Sequence, residues 1–383
     1  MIPPLNHQRL AETFSQLCEI SSPSRQEGCI AANLRARFEK LGADAIYEDD
    51  SSAQTGSECG NLIVRFNGTL PDQPGLFFSC HMDTVGPCQE VRVVRTGDIF
   101  TSKGETILGA DDKSGITAIL EMLTVLREQN IPHPMIEVIV TTCEEIGLLG
   151  AKHLDFSKVR TGYGYALDSS GIDHVVIGAP AANRLKVEIF GRAAHAGLCP
   201  EEGINALALA VLALNKIHMG RLDDESTCNF GLIEGGVATN IVPAHITLRG
   251  EVRSHSPAKL IRYTREIMKV FEHTIANSRR ASEDKLPSVH IETYDDYPAL
   301  RLSHDEPVIQ RIKAAGQLTG KNLKYIIAGG GSDANIFSGN GLPTAIIATG
   351  MAKVHTIDEQ LDLRDLVSLT ELVVALAMAP EQP

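Results

Sequence analysis

Five apolar, strand-like runs in this 383-residue chain each end on a histidine or a carboxylate. They close with Ser79-Cys80-His81-Met82-Asp83, Leu108-Gly109-Ala110-Asp111-Asp112, Thr141-Thr142-Cys143-Glu144-Glu145, Tyr165-Ala166-Leu167-Asp168 and Gly350-Met351-Ala352-Lys353-Val354-His355. In an open α/β sheet, ligands bind in the crevice beyond the carboxyl ends of the strands. Metal-type side chains delivered there by separate strands therefore read as one site. The pattern predicts a metal-dependent hydrolase.

The rhythm around these runs supports such a sheet. Leu10, Phe14, Leu17 and Cys18 recur at helical spacing, and a second helix is expected over 25–40 with Ser24 as its N-cap. Short β runs follow at 61–66, 75–80, 135–142 and 163–167, with a helix at 112–127 between two of them. Strands alternating with helices imply a mostly parallel sheet covered on both faces.

From about residue 181 the pattern changes. A strand at 184–190 precedes an apolar helix at 204–217, strands at 228–234 and 245–253, an amphipathic helix at 257–276 and a last strand at 289–294. That order, β-α-β-β-α-β, is the ferredoxin-like split arrangement. Runs at 324–328 and 344–349 read as further strands of the parent sheet. The expected architecture is α/β. A mostly parallel-sheet catalytic domain (1–180 and 297–383) is interrupted by an inserted ferredoxin-like α+β lid (181–296). Two domains suit the length, and the 43% hydrophobic content can fill both cores.

The net charge of −13 argues against nucleic acid as a partner. No run reaches the roughly 18 apolar residues that a membrane span needs, and Met1–His7 lacks a basic segment followed by an apolar core. The eight cysteines form no C-x-x-C pair, so they are expected to be reduced thiols of a cytoplasmic protein.

Side chains alternate along a strand, so His81 and Asp83 point the same way. Asp83 can then reach the His81 imidazole, or act on the same pocket, without being a ligand. An N-cap role explains one of Asp111 and Asp112 but not both. Glu144 and Glu145 diverge as neighbours must, and one ligand with one general base is an economical division. Asp168 and His355 complete the set, with Gly350 letting the chain bend inward. Two divalent cations carry four positive charges, which three carboxylates and one hydroxide cancel while both histidines stay neutral. Oxygen and imidazole donors without thiolate suit zinc, cobalt or manganese. Two such ions about 3.5–4 Å apart activate water and polarise a carbonyl together.

In this order the residues resemble the dinuclear zinc exopeptidases and amidohydrolases that include peptidase T, glutamate carboxypeptidase and the aminoacylases. The resemblance covers nearly the whole chain. His81-Met82-Asp83-Thr84, Gly109-Ala110-Asp111-Asp112-Lys113 and Glu144-Glu145-Ile146-Gly147 look most like peptidase T. The resemblance implies that Asp111 bridges two metals, most often zinc, with a cis peptide after it. It implies His81 and Asp168 on one metal, and Glu145 and His355 on the other. Glu144 would be general base and acid, with Asp83 orienting His81.

It also implies that the lid mediates a homodimer, and that His195, in Gly191-Arg192-Ala193-Ala194-His195-Ala196-Gly197, stabilises the oxyanion. Asn240 and Arg253 match positions that grip substrate, with Arg249 competing for the second role. Gly330 and Ser332, in Gly329-Gly330-Gly331-Ser332-Asp333, match a substrate-facing loop. Gly329 stands where peptidase T has an arginine, which leaves peptide length open.

The leading expectation is an aminopeptidase acting on short peptides. A carboxypeptidase or N-acyl amino acid deacylase on the same scaffold is the enzymatic rival. A noncatalytic metal- or peptide-binding protein is the rival of another class.

Overall fold

The computed structural model describes residues 2–278 and 285–378. It divides into two compact units: Met1–Gly178 with Leu300–Ala328 and Ser332–Pro383, and Ala179–Ala299 with Gly329–Gly331.

The first unit is built on a nine-stranded sheet. Its centre is four parallel strands in the order Ile136–Thr141, Leu76–His81, Gly164–Ser169 and Thr344–Ala348. Every residue of the first two of these strands and of Thr344–Ala348 is buried, as in a sheet covered on both faces. The flanks are mixed. Leu62–Phe66 runs antiparallel to Ile136–Thr141, and His174–Ala179 antiparallel to Thr344–Ala348. Arg65 and Glu137 are cross-strand partners in that first pairing, and their side chains form a buried ion pair at 2.8 Å. Removing one member of such a pair costs about 3–5 kcal/mol, so it favours the register that keeps these two strands' partners together.

The helix Ala110–Glu128 lies against Leu76–His81 and Gly164–Ser169 and packs on His7–Cys18 and Leu363–Met378. Leu10, Phe14, Leu17 and Cys18 all face this core. The second helix departs from expectation at its start. It spans Gly28–Leu41 with Glu27 at the N-cap position and no side-chain cap, and the Ser24 hydroxyl is used elsewhere. A small sheet of Val93–Thr96, Ile99–Ser102 and Gln360–Asp362 also forms, from strands too short to show a pattern.

The second unit is a five-stranded antiparallel sheet in the order Gly220–Asp223, Ser226–Gly235, His245–Ser254, Ala181–Phe190, Ser288–Tyr297. With helices Ala206–Leu214 and Pro257–Asn277 this is the ferredoxin-like order plus one extra edge strand. Leu185, Val187, Ile189, Leu248, Val252 and Phe271 form its core. The first helix is shorter than the apolar run. Ile204 is taken by a β-bridge to Arg192, and Asn205 caps the helix by accepting from the Ala208 N–H at 3.0 Å. No helix among the described residues is long and apolar enough to cross a membrane.

Candidate metal centre

The four parallel strands of the first unit stop at one edge, and the predicted ligands follow from where they stop. His81 ends its strand. Ser79 pairs with Ala166, so continuing the parallel register by two residues sets Asp168 beside His81 on the same face. Glu144 and Glu145 follow Ile136–Thr141, and His355 follows Thr344–Ala348.

Asp111 reaches the same place from the start of its helix, where the backbone kinks at Asp111 and Asp112 and the bond between them is cis. The cap position belongs to Gly109, and neither aspartate side chain caps. The two diverge. Asp111 faces the histidines, whereas Asp112 is fully buried against Gly115 and Cys80, and burial pushes its carboxyl well above the usual range.

The two oxygens of Asp111 look toward different imidazoles. Oδ1 lies 3.0 Å from His81 Nε2, and Oδ2 lies 3.3 Å from His355 Nε2. His355 Nε2 is also 3.1 Å from Glu145 Oε1. Donor atoms of His81, Asp111 and Glu145 all fall within 4.8 Å of one another. Burial, together with the charges of Asp168, Asp333 and Glu145, raises the Glu144 carboxyl well above its ordinary range, against the pull of His81. Burial likewise raises Asp168, reinforced by Asp111. Hydrogen bonding to Asp111 and Glu145 raises His355 to about 10. Carboxylates crowded so that their ionisation is resisted, and imidazoles drawn to hold protons, mark a site that favours positive charge. The oxygen and imidazole donors fit divalent cations of borderline hardness.

The loops are held from behind. Asp83 accepts from the Glu144 N–H at 2.9 Å, the Glu145 N–H at 3.2 Å and the Ser24 hydroxyl at 2.6 Å. The His81 Nδ1 partner is the Asp83 backbone carbonyl at 2.9 Å, with the carboxylate farther off at 3.6 Å. Asp83 therefore orients His81 mainly through its main chain and spends its carboxylate on the Glu144–Glu145 turn. Glu27 adds a second hold, accepting from the Cys143 N–H at 3.0 Å. Such support is needed. Cys143 and His355 adopt φ of 51° and 62°, and a non-glycine residue there costs on the order of 1–3 kcal/mol. Gly350 also turns with φ 92°, where a Cβ would meet that of Asp365 at 2.5 Å. Glu27 escaped sequence reading because a side chain that binds backbone amides leaves no spacing signature, and Ser24, expected as a helix cap, instead donates to the Asp83 carboxylate.

The remaining predicted residues lie as follows. In the second unit, His195 bridges Ile241, and the Ala196 N–H donates to the Asn240 carbonyl at 2.9 Å. The N–H groups of Gly197 and Leu198 both donate to His195 Nδ1, each at 3.2 Å. Two donors on Nδ1 leave the proton of the neutral ring on Nε2, which is thus a donor. Arg253 lies beside the Gly329–Gly331 turn, with Nη1 3.5 Å from the Gly329 carbonyl, and pairs with Glu251 at 2.8 Å. Gly330 is in that turn, and Gly331 packs so closely on Tyr297 that a Cβ would fall 2.4 Å from its ring. Arg249 lines a different cleft with Arg184 and Tyr294. In the first unit, the Ser332 hydroxyl caps the helix Asp333–Gly339.

Comparison with known proteins settles the family. Residues 77–379 match the model of peptidase family M20/M25/M40. The chain belongs to that family. It is a peptide hydrolase of the M20 type. The uncharacterized protein YqjE of Bacillus subtilis (strain 168) is 39% identical over 373 residues, covering 97% of this chain and 98% of that one. Among solved structures, aminopeptidase PepT from Bacillus cereus is 36% identical with a TM-score of 0.88. A tripeptidase from Staphylococcus aureus is 34% identical with a TM-score of 0.91. Each of these two comparisons covers 98% of both chains. In this member of the family the metal-type side chains gather where the mostly parallel sheet ends.

Proposed function

We propose that this M20 protein is an aminopeptidase of short peptides working with two divalent ions, zinc being the best match to its donors. The observation that carries the reading is the Asp111 carboxylate, which turns one oxygen to His81 and the other to His355. The similarity to an aminopeptidase and a tripeptidase over almost the full chain supports the substrate class. Asp111 would bridge the ions, with His81 and Asp168 completing one and Glu145 and His355 the other.

When bound, the ions polarise the scissile carbonyl and acidify a water molecule. The chain's own groups do the rest. Glu144, whose carboxyl is held by burial well above its ordinary range, takes a proton from the attacking water and returns it to the leaving amine as the C–N bond breaks. Asp83 fixes the turn from which Glu144 projects. His195 is assigned to the oxyanion, a role for which its Nε2–H is suited. Asn240, Arg253, Gly330 and Ser332 are assigned to substrate binding.

The reading includes a homodimer through the second unit, supported by Leu207, Val211 and Leu212, which stand exposed on the helix Ala206–Leu214. It also includes a cytoplasmic location, which suits eight unpaired cysteines.

The test is a metal-stripped sample reloaded with zinc, cobalt or manganese and given a free-amine tripeptide beside its N-acetylated form. Release of the first residue from the free-amine peptide alone is expected. Preference for the acetylated form would replace this reading with a deacylase, and inertness toward a broad amide panel would leave a binding protein.

A further inference from the structure

Glu359 is almost wholly buried, at 1% exposure, and lies four residues past His355. Its carboxylate receives three backbone donors from the segment that presents Asp111. Oε2 accepts from the Leu108 N–H at 2.8 Å and the Gly109 N–H at 2.7 Å, and Oε1 accepts from the Asp111 N–H at 3.0 Å. The loop holding both Glu359 and His355 is closed at its base by paired hydrogen bonds between Ala352 and Gln360, each 3.0 Å. One loop thus touches Asp111 twice, at its side chain through His355 and at its backbone through Glu359.

A buried carboxylate is costly unless several donors satisfy it, and three amide donors do so here. The arrangement fixes more than it needs to for stability alone, because it ties two ligand-bearing segments 248 residues apart to one another. We propose that Glu359 is a positioning residue that sets the Asp111 carboxylate between the two imidazoles. The inference rests on the reading of Asp111 as a metal bridge and adds the device that holds it there. Outer hydrogen-bond partners of metal ligands typically contribute 10- to 100-fold in affinity.

The substitution Glu359→Gln keeps the shape but presents an NH2 group to one or more amide donors. The experiment titrates chelator-stripped protein with Co²⁺, following the visible absorption of the bound ion and competition with a chelator. Glu359→Gln is expected to weaken Co²⁺ binding by about 10- to 100-fold and to change the absorption spectrum. Glu137→Gln is the matched control. Glu137 is another fully buried carboxylate, accepting from Arg160 N–H at 2.8 Å and from Thr161 N–H and hydroxyl at 2.9 Å; it differs in also pairing with Arg65 at 2.8 Å, so its loss should cost at least as much stability, and it does not contact the site's ligands. This control should lose stability and keep the wild-type Co²⁺ affinity and spectrum.

Unchanged Co²⁺ binding in Glu359→Gln, or an equal loss in Glu137→Gln, would overturn the positioning role. A wild-type protein that binds no Co²⁺ would instead overturn the metal reading itself. If Glu359→Gln does not fold, hydrogen exchange on the wild type decides. The amides of Leu108, Gly109 and Asp111 are expected to be protected as a group and to slow further with Co²⁺, and free exchange at all three would refute the inference.

Discussion

Among the described residues, two clusters of imidazoles and carboxylates have donor atoms close enough to share an ion, and they differ in how they are built. One is His81, Asp111 and Glu145, joined by His355. The other is Glu188, His290 and Glu292, on the sheet of the second unit. In the second cluster, Glu188 and His290 are direct cross-strand partners, as are Lys186 and Glu292. The Lys186 ammonium is 3.0 Å from Glu188 and 3.8 Å from Glu292, so these carboxylates already have a positive partner in the chain itself. His290 is 60% exposed. The arrangement is the usual pairing of opposite charges across a sheet surface. In the first cluster the residues come from strand ends, a helix start and loops, the Asp111 and Glu145 side chains are only 10% and 7% exposed although His355 is half exposed, and backbone-binding side chains hold the loops from behind. Spacing of donors is therefore cheap, and burial with reinforcement is what separates a site from a surface pattern.

That contrast can be tested by substitution. The largest effect is expected from Glu144→Gln, which should lower kcat by about 100- to 10,000-fold while metal content and melting temperature stay at wild-type values. Near-normal turnover would remove Glu144 as the base and weaken the claim that the buried cluster is reactive. Next, His355→Ala should reduce metal affinity by at least about tenfold, read by metal analysis after dialysis. Full wild-type metal content after that treatment would exclude His355 as a ligand. The smallest effect belongs to the exposed cluster. The pair Glu188→Gln and Glu292→Gln should leave metal content and turnover unchanged. Loss of one equivalent would make the outer cluster a genuine site and erase the distinction.

The residues differ in how far they could be read from the sequence. His81, Glu145, Asp168 and His355 were legible because each follows an apolar run that becomes a central strand, and strand direction carries them to one edge. Asp111 against Asp112 was not decidable from the residues alone, since both precede the same helix. Only the kink at its start shows one turned to the histidines and the other buried. Ser24 looked like a helix cap by type, yet the helix begins at Gly28 and the hydroxyl serves Asp83. Glu27 and Glu359 gave no signal, because a carboxylate that gathers backbone N–H groups depends on where distant segments meet. The strands of the small sheet and Gly220–Asp223 were missed since strands of three or four residues carry little alternation.

The parallel pairing of Leu76–His81 with Gly164–Ser169 acts as a ruler for the chemistry at its end. Neighbouring strands repeat at roughly 4.7–4.9 Å, an interval imposed by backbone geometry and independent of side-chain choice. Inserting one residue into Gly164–Ser169 would rotate Asp168 to the opposite face of the sheet, however well the core repacked. Changes of length in this enzyme should accordingly be tolerated in its connecting segments and forbidden in the few strands that hold the gauge.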